Sequence, residues 1–203
     1  MFQSSPKANC YRRVAGSKQK TAGILALQGD FEAHRQAMDR AGGRAIEVRT
    51  LADLEQCDGL IIPGGESTTM LKLLDQEGLT EPLKRFAGHK PLYGSCAGAI
   101  LLAREVTNPA QASLGLMDIA VERNAYGRQV DSRIAHIPMP EGGDLEAVFI
   151  RAPIIRCLGP GSSVLAQYNG DPVWVEQGRN MVTTFHPELT ADLRVHQRFL
   201  DKL

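Results

Sequence analysis

The segment Lys90–Ala103, KPLYGSCAGAILLA, decides the fold of this chain. Its pattern predicts a short apolar strand, a tight turn centred on Cys96 and then an apolar helix. Gly94 and Gly98 stand two residues on either side of the cysteine and complete the motif G-x-C-x-G. Small residues are needed where a strand and a helix approach closely, because a side chain there would clash. The motif therefore indicates a nucleophile elbow that carries a reactive cysteine.

The position of Cys96 also suits it chemically to be a nucleophile. The predicted helix begins at Ala97, so its N-terminal N–H groups and its dipole favour the thiolate, which is the form that attacks a carbonyl carbon. A buried structural cysteine is the alternative interpretation, because free cysteines are often buried. The two flanking glycines at a strand-to-helix junction favour the nucleophile.

Length and charge limit the classes of protein to which the chain can belong. Its 203 residues suit one well-buried core. Basic and acidic side chains number 23 each, but five basic residues and no acidic ones lie in residues 1–20. The remainder therefore carries 18 basic and 23 acidic side chains, a net charge of −5. A mildly acidic body argues against a nucleic-acid surface. We predict that residues 1–20 are a disordered basic extension and that residues 21–203 form one domain.

Hydropathy and cysteine spacing predict the compartment. No apolar run approaches the roughly 18 residues that span a bilayer, so we expect no membrane segment. The four cysteines show no CxxC spacing, which makes a zinc site or a disulfide framework an unfavourable interpretation. No secretory signal pattern precedes them. These features favour a reducing cytosol, and we predict a cytoplasmic protein.

From Thr21 onward, apolar runs of strand length alternate with helical patterns. We predict strands at 22–27, 45–48 and 59–62 and helices at 31–41, 51–56 and 69–76, with Asp30 as the cap of the first helix. This alternation predicts a parallel sheet with helices on both faces. The segments Gln28–Gly29, Pro63–Ser67 and Gly94–Gly98 each follow a strand. We therefore expect them to share the rim at the carboxyl ends of the strands, where such sheets bind ligands.

The second half of the chain has a different pattern. Short strands are predicted at 119–123, 133–137, 147–150, 164–168, 173–176 and 181–184. The turn signals between them, such as Asn169-Gly170, predict antiparallel or mixed strands. We expect these strands to extend the same sheet, which gives a single-domain α/β fold with a mixed, mostly parallel sheet.

A base for the cysteine is predicted near the C-terminus. His186 follows the last predicted strand, and Glu188 comes two residues later, where its carboxylate can turn back onto the imidazole. A thiolate nucleophile needs such a base and an acceptor that fixes its tautomer. The alternative is that the two residues merely cap a strand and a helix. His89 and His136 are rival candidates for the base, while His34 and His196 fall within predicted helices.

Six motifs give a specific resemblance. They are LQGD (27–30), PGGEST (63–68), GSCAG (94–98), VERNAYGRQVDS (121–132), FIRAP (149–153) and FHPELT (185–190). Together they resemble the class I, or triad, glutamine amidotransferases, which have a flavodoxin-like fold. The closest resemblance is to the branch formed by the glutaminase subunits of pyridoxal 5′-phosphate (vitamin B6) synthase, over roughly residues 22–200. Ser95 departs from this branch, which usually has threonine there, and residues 1–20 have no counterpart in it.

The resemblance implies a catalytic mechanism. Cys96 would be the nucleophile, His186 the general base and then acid, and Glu188 the carboxylate that orients His186. The side-chain amide of L-glutamine would form a thioester on Cys96 and release ammonia, after which water would release glutamate. The backbone N–H groups of Gly65 and Ala97 would stabilise the oxyanion.

The resemblance also implies binding positions for L-glutamine and for a partner. The glutamine positions correspond to Gly64, Gly65, Glu66, Ser67, Arg123, Ile150 and Arg151. Glu66 can meet the ammonium group of the substrate and Arg123 its α-carboxylate. Gln28 resembles a residue that couples the site to the partner.

The implied partner is a separate, lyase-type synthase subunit that makes pyridoxal 5′-phosphate. The thioester chemistry needs no metal and no organic cofactor, so none is expected, and neither nucleic acid nor membrane is an expected partner. A glutaminase for histidine or purine assembly is one alternative. A cysteine peptidase or deglycase is another, although its histidine usually follows the cysteine closely. A noncatalytic subunit is the third, and the intact Cys96, His186 and Glu188 argue against it.

Overall fold

A computed structural model describes residues 19–124 and 132–203 of the chain. Of the predicted N-terminal extension, residues 1–18 lie outside the described residues. The same is true of residues 125–131, which form the middle of the motif at 121–132. Among the described residues, no helix is long and apolar enough to cross a membrane.

The first half of the chain alternates strands and helices as predicted. Its elements are β1 (Thr21–Leu25), α1 (Phe31–Arg40), β2 (Arg44–Val48), α2 (Leu51–Glu55), β3 (Gly59–Ile62), α3 (Ser67–Gln76), α4 (Thr80–Ala87), β4 (Leu92–Ser95) and α5 (Ala97–Leu102). Asp30 occupies the N-cap position of α1 as predicted, although its side chain makes no capping hydrogen bond.

The second half is mostly strands. Its elements are β5 (Ala103–Thr107), β6 (Met117–Glu122), β7 (Arg133–Pro138), β8 (Asp144–Phe149), β9 (Ile154–Leu158), β10 (Ser162–Tyr168), β11 (Asp171–Gln177) and β12 (Asn180–Thr183), then a 3₁₀ turn (Pro187–Leu189) and α6 (Arg194–Leu200). Strands β5 and β9 are absent from the prediction. An apolar run such as AILLA is compatible with a helix along its whole length, so the sequence does not show where the helix ends. The chain changes from helix to strand at Ala103 because β5 pairs with β6.

The main sheet has seven strands in the order β10-β11-β12-β4-β3-β1-β2. The pairs from β12 to β2 are parallel, whereas β10, β11 and β12 pair antiparallel. The predicted mixed, mostly parallel sheet is therefore confirmed.

The expectation that all later strands extend this sheet is wrong. Only β10–β12 join it, while β5, β6 and β9 form a three-stranded sheet and β7 and β8 a two-stranded one. Strands such as β6 and β8 bury alternate residues and so cover one apolar surface each. Their period of two does not specify which surface they cover, because that depends on long-range packing.

Apolar side chains fill both faces of the main sheet. Along β3, Leu60 and Ile62 belong to one buried cluster, with α2–α5 and the three-stranded sheet. Ile61 between them belongs to the other cluster, with α1, α6 and the β7–β8 pair. Successive strand residues point to opposite faces, so the central strands anchor both layers. The carboxyl ends of β1, β3, β4 and β12 are thereby held at one rim.

Candidate active site

The turn between β4 and α5 has the geometry of a nucleophile elbow. Cys96 has φ 47° and ψ −101°, a left-handed conformation that non-glycine residues rarely adopt. A Cβ on Gly94 would lie 2.5 Å from the carbonyl carbon of Gly98, and one on Gly98 would lie 2.1 Å from the oxygen of Ile62. The two glycines thus allow β3, β4 and α5 to meet. Such local strain costs roughly 1–3 kcal/mol and is typical of functional sites.

His186 and Glu188 come together just after β12. The 3₁₀ turn Pro187–Leu189 places Nδ1 of His186 2.8 Å from Oε1 of Glu188. Glu188 is buried, and the side chain of His186 is only 10% exposed. Burial alone would lower the pKa of His186. Hydrogen bonds with Cys96 and Glu188 outweigh burial and raise that pKa to about 10.

Glu188 stays ionised although it is buried. Burial would raise its pKa, but the proximity of His34 and the hydrogen bond with His186 outweigh burial and lower it. An ionised Glu188 stabilises the protonated form of His186, which is thereby able to give a proton to a leaving group. The three groups therefore form an array able to attack a carbonyl carbon and to protonate a leaving group.

A loop at the end of β3 forms the next wall of the site. A Cβ on Gly64 would lie 2.3 Å from Cε1 of His186, so the loop approaches the imidazole closely. Gly65 has φ 153°, and a Cβ there would lie 2.4 Å from Oε1 of Gln28. The same Gln28 oxygen accepts a hydrogen bond from the Glu66 N–H at 2.8 Å. Gln28 therefore links the end of β1 to this glycine loop.

One cavity of about 220 Å³ joins these groups. Cys96, Ala97 and His186 line it, and Glu188 lies behind His186. The positions that the sequence analysis assigns to glutamine also line it, namely Gly64, Gly65, Glu66, Ser67, Arg123, Ile150 and Arg151. Their part in binding stays a prediction. The structure nevertheless brings together segments from β1, β3, β4, β6, β8 and β12 that lie far apart in sequence.

Two details of this lining affect its chemistry. Arg151 has a left-handed backbone, with φ 46°, directly after Ile150, whose carbonyl oxygen lies 3.9 Å from Sγ of Cys96. The hydroxyl of Ser67 donates to Oε1 of Gln111 at 3.0 Å. Arg123 and Arg151 both line the cavity and supply positive charge with which a carboxylate can pair.

The rival histidines lie elsewhere. His89 is exposed and lines a separate hollow with Lys90 and Arg179. His136 is exposed on β7. Within the ranges 19–124 and 132–203, no group of three or more His, Cys, Asp or Glu side chains is placed to hold a metal ion.

Several residues that line the cavity were assigned no catalytic or binding role from the sequence. The cavity is also lined by Gly29, Asp30, Ile100, Asn124, Pro153 and Leu189. Of these, all except Ile100 belong to the quoted motifs, so the motifs were an available signal. His34, Ser95 and His196 lie behind the triad. Ser95 belongs to the GSCAG motif, whereas no local pattern indicates His34 or His196.

Comparison with known proteins agrees with this architecture. The model of the SNO glutamine amidotransferase family matches residues 24–203. A pyridoxal 5′-phosphate synthase subunit PdxT from Solibacter usitatus (strain Ellin6076) is 60% identical over 191 residues, which cover 91% of this chain and 100% of that relative. The PdxT of Thermus thermophilus is 50% identical over 182 residues, which cover 88% of this chain and 95% of the relative.

Solved structures support the same assignment. A crystal structure of a glutamine amidotransferase has 46% sequence identity and a TM-score of 0.83, covering 89% of this chain and 97% of that one. PurLQS from Thermotoga maritima has 15% identity and a TM-score of 0.68 over 91% of this chain and 99% of its own, which shows a shared fold. From the family match and these identities, the chain belongs to the SNO glutamine amidotransferase family.

Proposed function

We propose that this chain is the glutaminase subunit of a pyridoxal 5′-phosphate synthase. It hydrolyses L-glutamine to L-glutamate and ammonia and delivers the ammonia to the partner synthase subunit. The observation that carries the proposal is the left-handed Cys96 beside the His186–Glu188 pair, at the wall of a cavity lined by two arginines and a glycine loop. The names of the PdxT relatives supply the synthase to which the ammonia goes.

The first half of the reaction forms a thioester. The Cys96 thiolate attacks the side-chain carbonyl carbon of glutamine, and the carbonyl π electrons move onto oxygen. Collapse of this intermediate breaks the C–N bond, while His186 gives its proton to the departing nitrogen, which leaves as ammonia. A raised pKa for His186 keeps this proton available at neutral pH.

The second half returns the enzyme to its starting state. The neutral His186 takes a proton from water, and the resulting hydroxide attacks the thioester carbon. The C–S bond then breaks, which releases glutamate and restores the thiolate beside the imidazolium. Glu188 holds Nδ1 of His186 throughout, so that Nε2 is the nitrogen that exchanges the proton.

The glycine loop and α5 are suited to stabilise the negative oxygen. The first N–H groups of a helix have no partner within the helix, and Ala97 begins α5 next to Cys96. The carbonyl of Gly64 accepts a hydrogen bond from the Asp30 N–H at 3.2 Å. Because a trans peptide directs its C=O and N–H oppositely, the Gly65 N–H points away from Asp30. We assign the Ala97 and Gly65 N–H groups to the oxyanion.

The charged lining provides selectivity for an amino-acid substrate. We assign Arg123 to the α-carboxylate of glutamine and Glu66 to its ammonium group. The backbone at Ser67, Ile150 and Arg151 completes the binding site. A side chain is excluded at Gly64 because it would collide with His186.

The free thiols favour a reducing compartment. Cys57, Cys96 and Cys157, which are the cysteines within the described ranges, form no disulfide. A catalytic thiolate is most easily kept reduced in the cytosol. We therefore place the protein in the cytoplasm, with residues 21–203 as the glutaminase domain.

A reconstitution experiment tests the function. The chain is mixed with the synthase subunit, and glutamine labelled with ¹⁵N in its side-chain amide is supplied as the nitrogen source. We expect ¹⁵N in the pyridoxal 5′-phosphate product. With Cys96→Ala, product should form only when an ammonium salt is added. Labelled product from Cys96→Ala without ammonium, or unlabelled product from the native pair, would contradict the proposal.

A further inference from the structure

Glu188 has a second carboxylate oxygen that the triad does not use. Oε1 pairs with His186, whereas Oε2 makes no hydrogen bond of good geometry within the described residues. Oε2 does lie 3.2 Å from Nε2 of His34, on α1. Both side chains are fully buried at 0% exposure. Burying an ionised oxygen without a partner costs free energy, so it matters whether His34 stabilises this oxygen.

His34 is itself held by two further groups. Its Nε2 lies 2.8 Å from Oγ of Ser95, and its Nδ1 lies 3.0 Å from Nε2 of His196, on α6. His34 and His196 are both 0% exposed, and neither lines the cavity. The imidazole of His34 is thus fixed between α6 and the end of β4, directly behind Glu188.

The contacts select one tautomer of His34. A proton on Nδ1 would leave a lone pair on Nε2, and two acceptors would then face each other across 3.2 Å. A proton on Nε2 is donated to Oγ of Ser95 and also lies on the nitrogen that is 3.2 Å from Oε2 of Glu188, while Nδ1 accepts from the Nε2–H of His196. The Nδ1 of His196, which is buried without a partner in the described part of the chain, then carries no proton. Unpaired acceptors are less rare in protein interiors than unpaired N–H groups.

Neutral imidazoles suit this arrangement. Burial lowers the pKa of His34, although the charge of Glu188 opposes the shift. Burial also lowers the pKa of His196, to about 3. A neutral N–H donor stabilises Glu188 without forming a full ion pair that would compete with His186. The titratable groups that act on His34, His196 or Glu188 from the surrounding elements are Asp30, Arg40, Tyr93 and His186.

We propose that His34 is a positioning residue of the glutaminase reaction. Its protonated Nε2 lies 3.2 Å from the second oxygen of Glu188 and stabilises the charge of that oxygen electrostatically, and His196 fixes the tautomer that makes this possible. The carboxylate is thereby aligned with His186, which in turn faces Cys96. The inference rests on the proposed function, since it concerns the rate of that reaction. It extends the array from Cys96 and His186 through Glu188 to His34 on α1 and His196 on α6, which do not line the cavity.

Three variants of His34 separate a donor from a packing group. In glutamine the amide Nε2 reaches about as far as Nε2 of histidine, whereas the amide nitrogen of asparagine reaches only as far as Nδ1. His34→Gln therefore keeps a donor for Glu188, while His34→Asn and His34→Leu remove it. All three are assayed for glutaminase activity in complex with the synthase subunit, with folding checked by circular dichroism and thermal melting.

We expect kcat to fall about 10- to 100-fold in His34→Leu and His34→Asn, the range for a hydrogen bond to a charged group, with KM nearly unchanged. His34→Gln should stay within a few-fold of native, about 3-fold. The acid limb of kcat should move to higher pH in the two slow variants, because Glu188 loses a donor that favours its charged form. The acid limb of kcat should not move in His34→Gln.

The outcomes separate this inference from the proposed function. If the native complex releases glutamate and a folded His34→Leu has the native kcat, the positioning role is wrong. Equal losses in His34→Gln and His34→Asn would also overturn it, because packing alone would then account for the loss. If His34→Leu does not fold, the Gln and Asn pair decides by the same rule. Failure of the native complex to release glutamate, by contrast, would overturn the proposed function itself.

Discussion

The imidazole of His186 separates two regions of different character. On one side, the cavity brings Cys96, the Gly64–Ser67 loop and the arginines Arg123 and Arg151 within reach of a ligand. On the other side, Glu188, His34 and His196 are enclosed between α1, α6 and the main sheet. The cavity side has glycines and left-handed residues, whereas the buried side has helical backbone and fixed side chains.

The difference between the cavity side and the buried side indicates how each contributes to the reaction. We propose that groups on the cavity side contact the substrate, so that removing the nucleophile or the base deletes a chemical step. Groups on the buried side act through Glu188 and therefore affect only the alignment and the charge of the triad. We expect substitutions on the cavity side to have large, all-or-none effects on the rate of glutamate release, and substitutions on the buried side to have graded effects.

Replacing the nucleophile should abolish turnover. Cys96→Ala is expected to lower glutamate release by about 10⁴-fold or more while the fold persists. The matched controls are Cys57→Ala and Cys157→Ala. Cys57 is a protonated thiol, because burial and the nearby Asp53 raise its pKa to about 12, and Cys157 is an exposed thiol on β9. Assays in complex with the synthase subunit check this, and native turnover by Cys96→Ala would exclude the elbow as the site.

Replacing the base should have the next largest effect. His186→Ala is expected to lower kcat by roughly 10²-fold or more, the usual scale for a general base. The exposed His89 and His136 provide controls, and their alanine variants should stay within a few-fold of native. The measurement is steady-state glutamate release. A large loss in His136→Ala together with a small one in His186→Ala would require a different base.

We propose that Gln28 couples the cavity side to the partner subunit. Its oxygen accepts from the Glu66 N–H, and adjacent glycines allow the loop to change its peptide orientation at little steric cost. We expect the isolated chain to be nearly silent and the synthase to raise kcat by about 10²–10³-fold, the value of one oxyanion donor.

Gln28→Ala should reduce that activation by about 10-fold, consistent with the loss of one hydrogen bond to an aligned loop. Alkylation of Cys96 by iodoacetamide should keep the native rate, because the triad is intact. The assay compares kcat with and without the synthase. Equal kcat in the two conditions for the native chain would reject this mode of control.

The smallest predicted effect is on the stability of the fold and arises from His196 on the buried side. The pKa of His196 falls from 6.5 to about 3 because of burial, so the unfolded chain binds more protons between these values. The free energy of unfolding should therefore decrease as pH falls from 6.5 toward 3. One such group contributes a slope of about 1.4 kcal/mol per pH unit.

His196→Phe should remove that contribution and give a shallower slope. Urea unfolding at pH values between about 4 and 7 measures it, and the exposed His136→Phe is the control that should keep the native slope. A native slope in His196→Phe would contradict a neutral, buried His196.

The sequence anticipated most of the cavity side. Glycines at fixed distances from Cys96, a Pro-Gly-Gly loop after a strand and the short spacing of His186 and Glu188 are all local patterns. Local patterns determine turns and strand ends, and parallel strands bring those ends to one rim. Long motifs also pointed to Arg123, Ile150 and Arg151, for which local chemistry alone gives a weak signal.

The buried side and the arrangement of the later strands depended on tertiary structure. His34 and His196 are 162 residues apart, and each looks like an ordinary helical residue until α1 and α6 pack on the same face of the sheet. Likewise, the alternation in β6–β8 predicts one buried face but not the sheet that it joins. By itself the sequence determined the elbow, the triad candidates and the order of the central elements. Only the packing of distant segments decided which neutral imidazole lies against Glu188, because that contact has no local pattern.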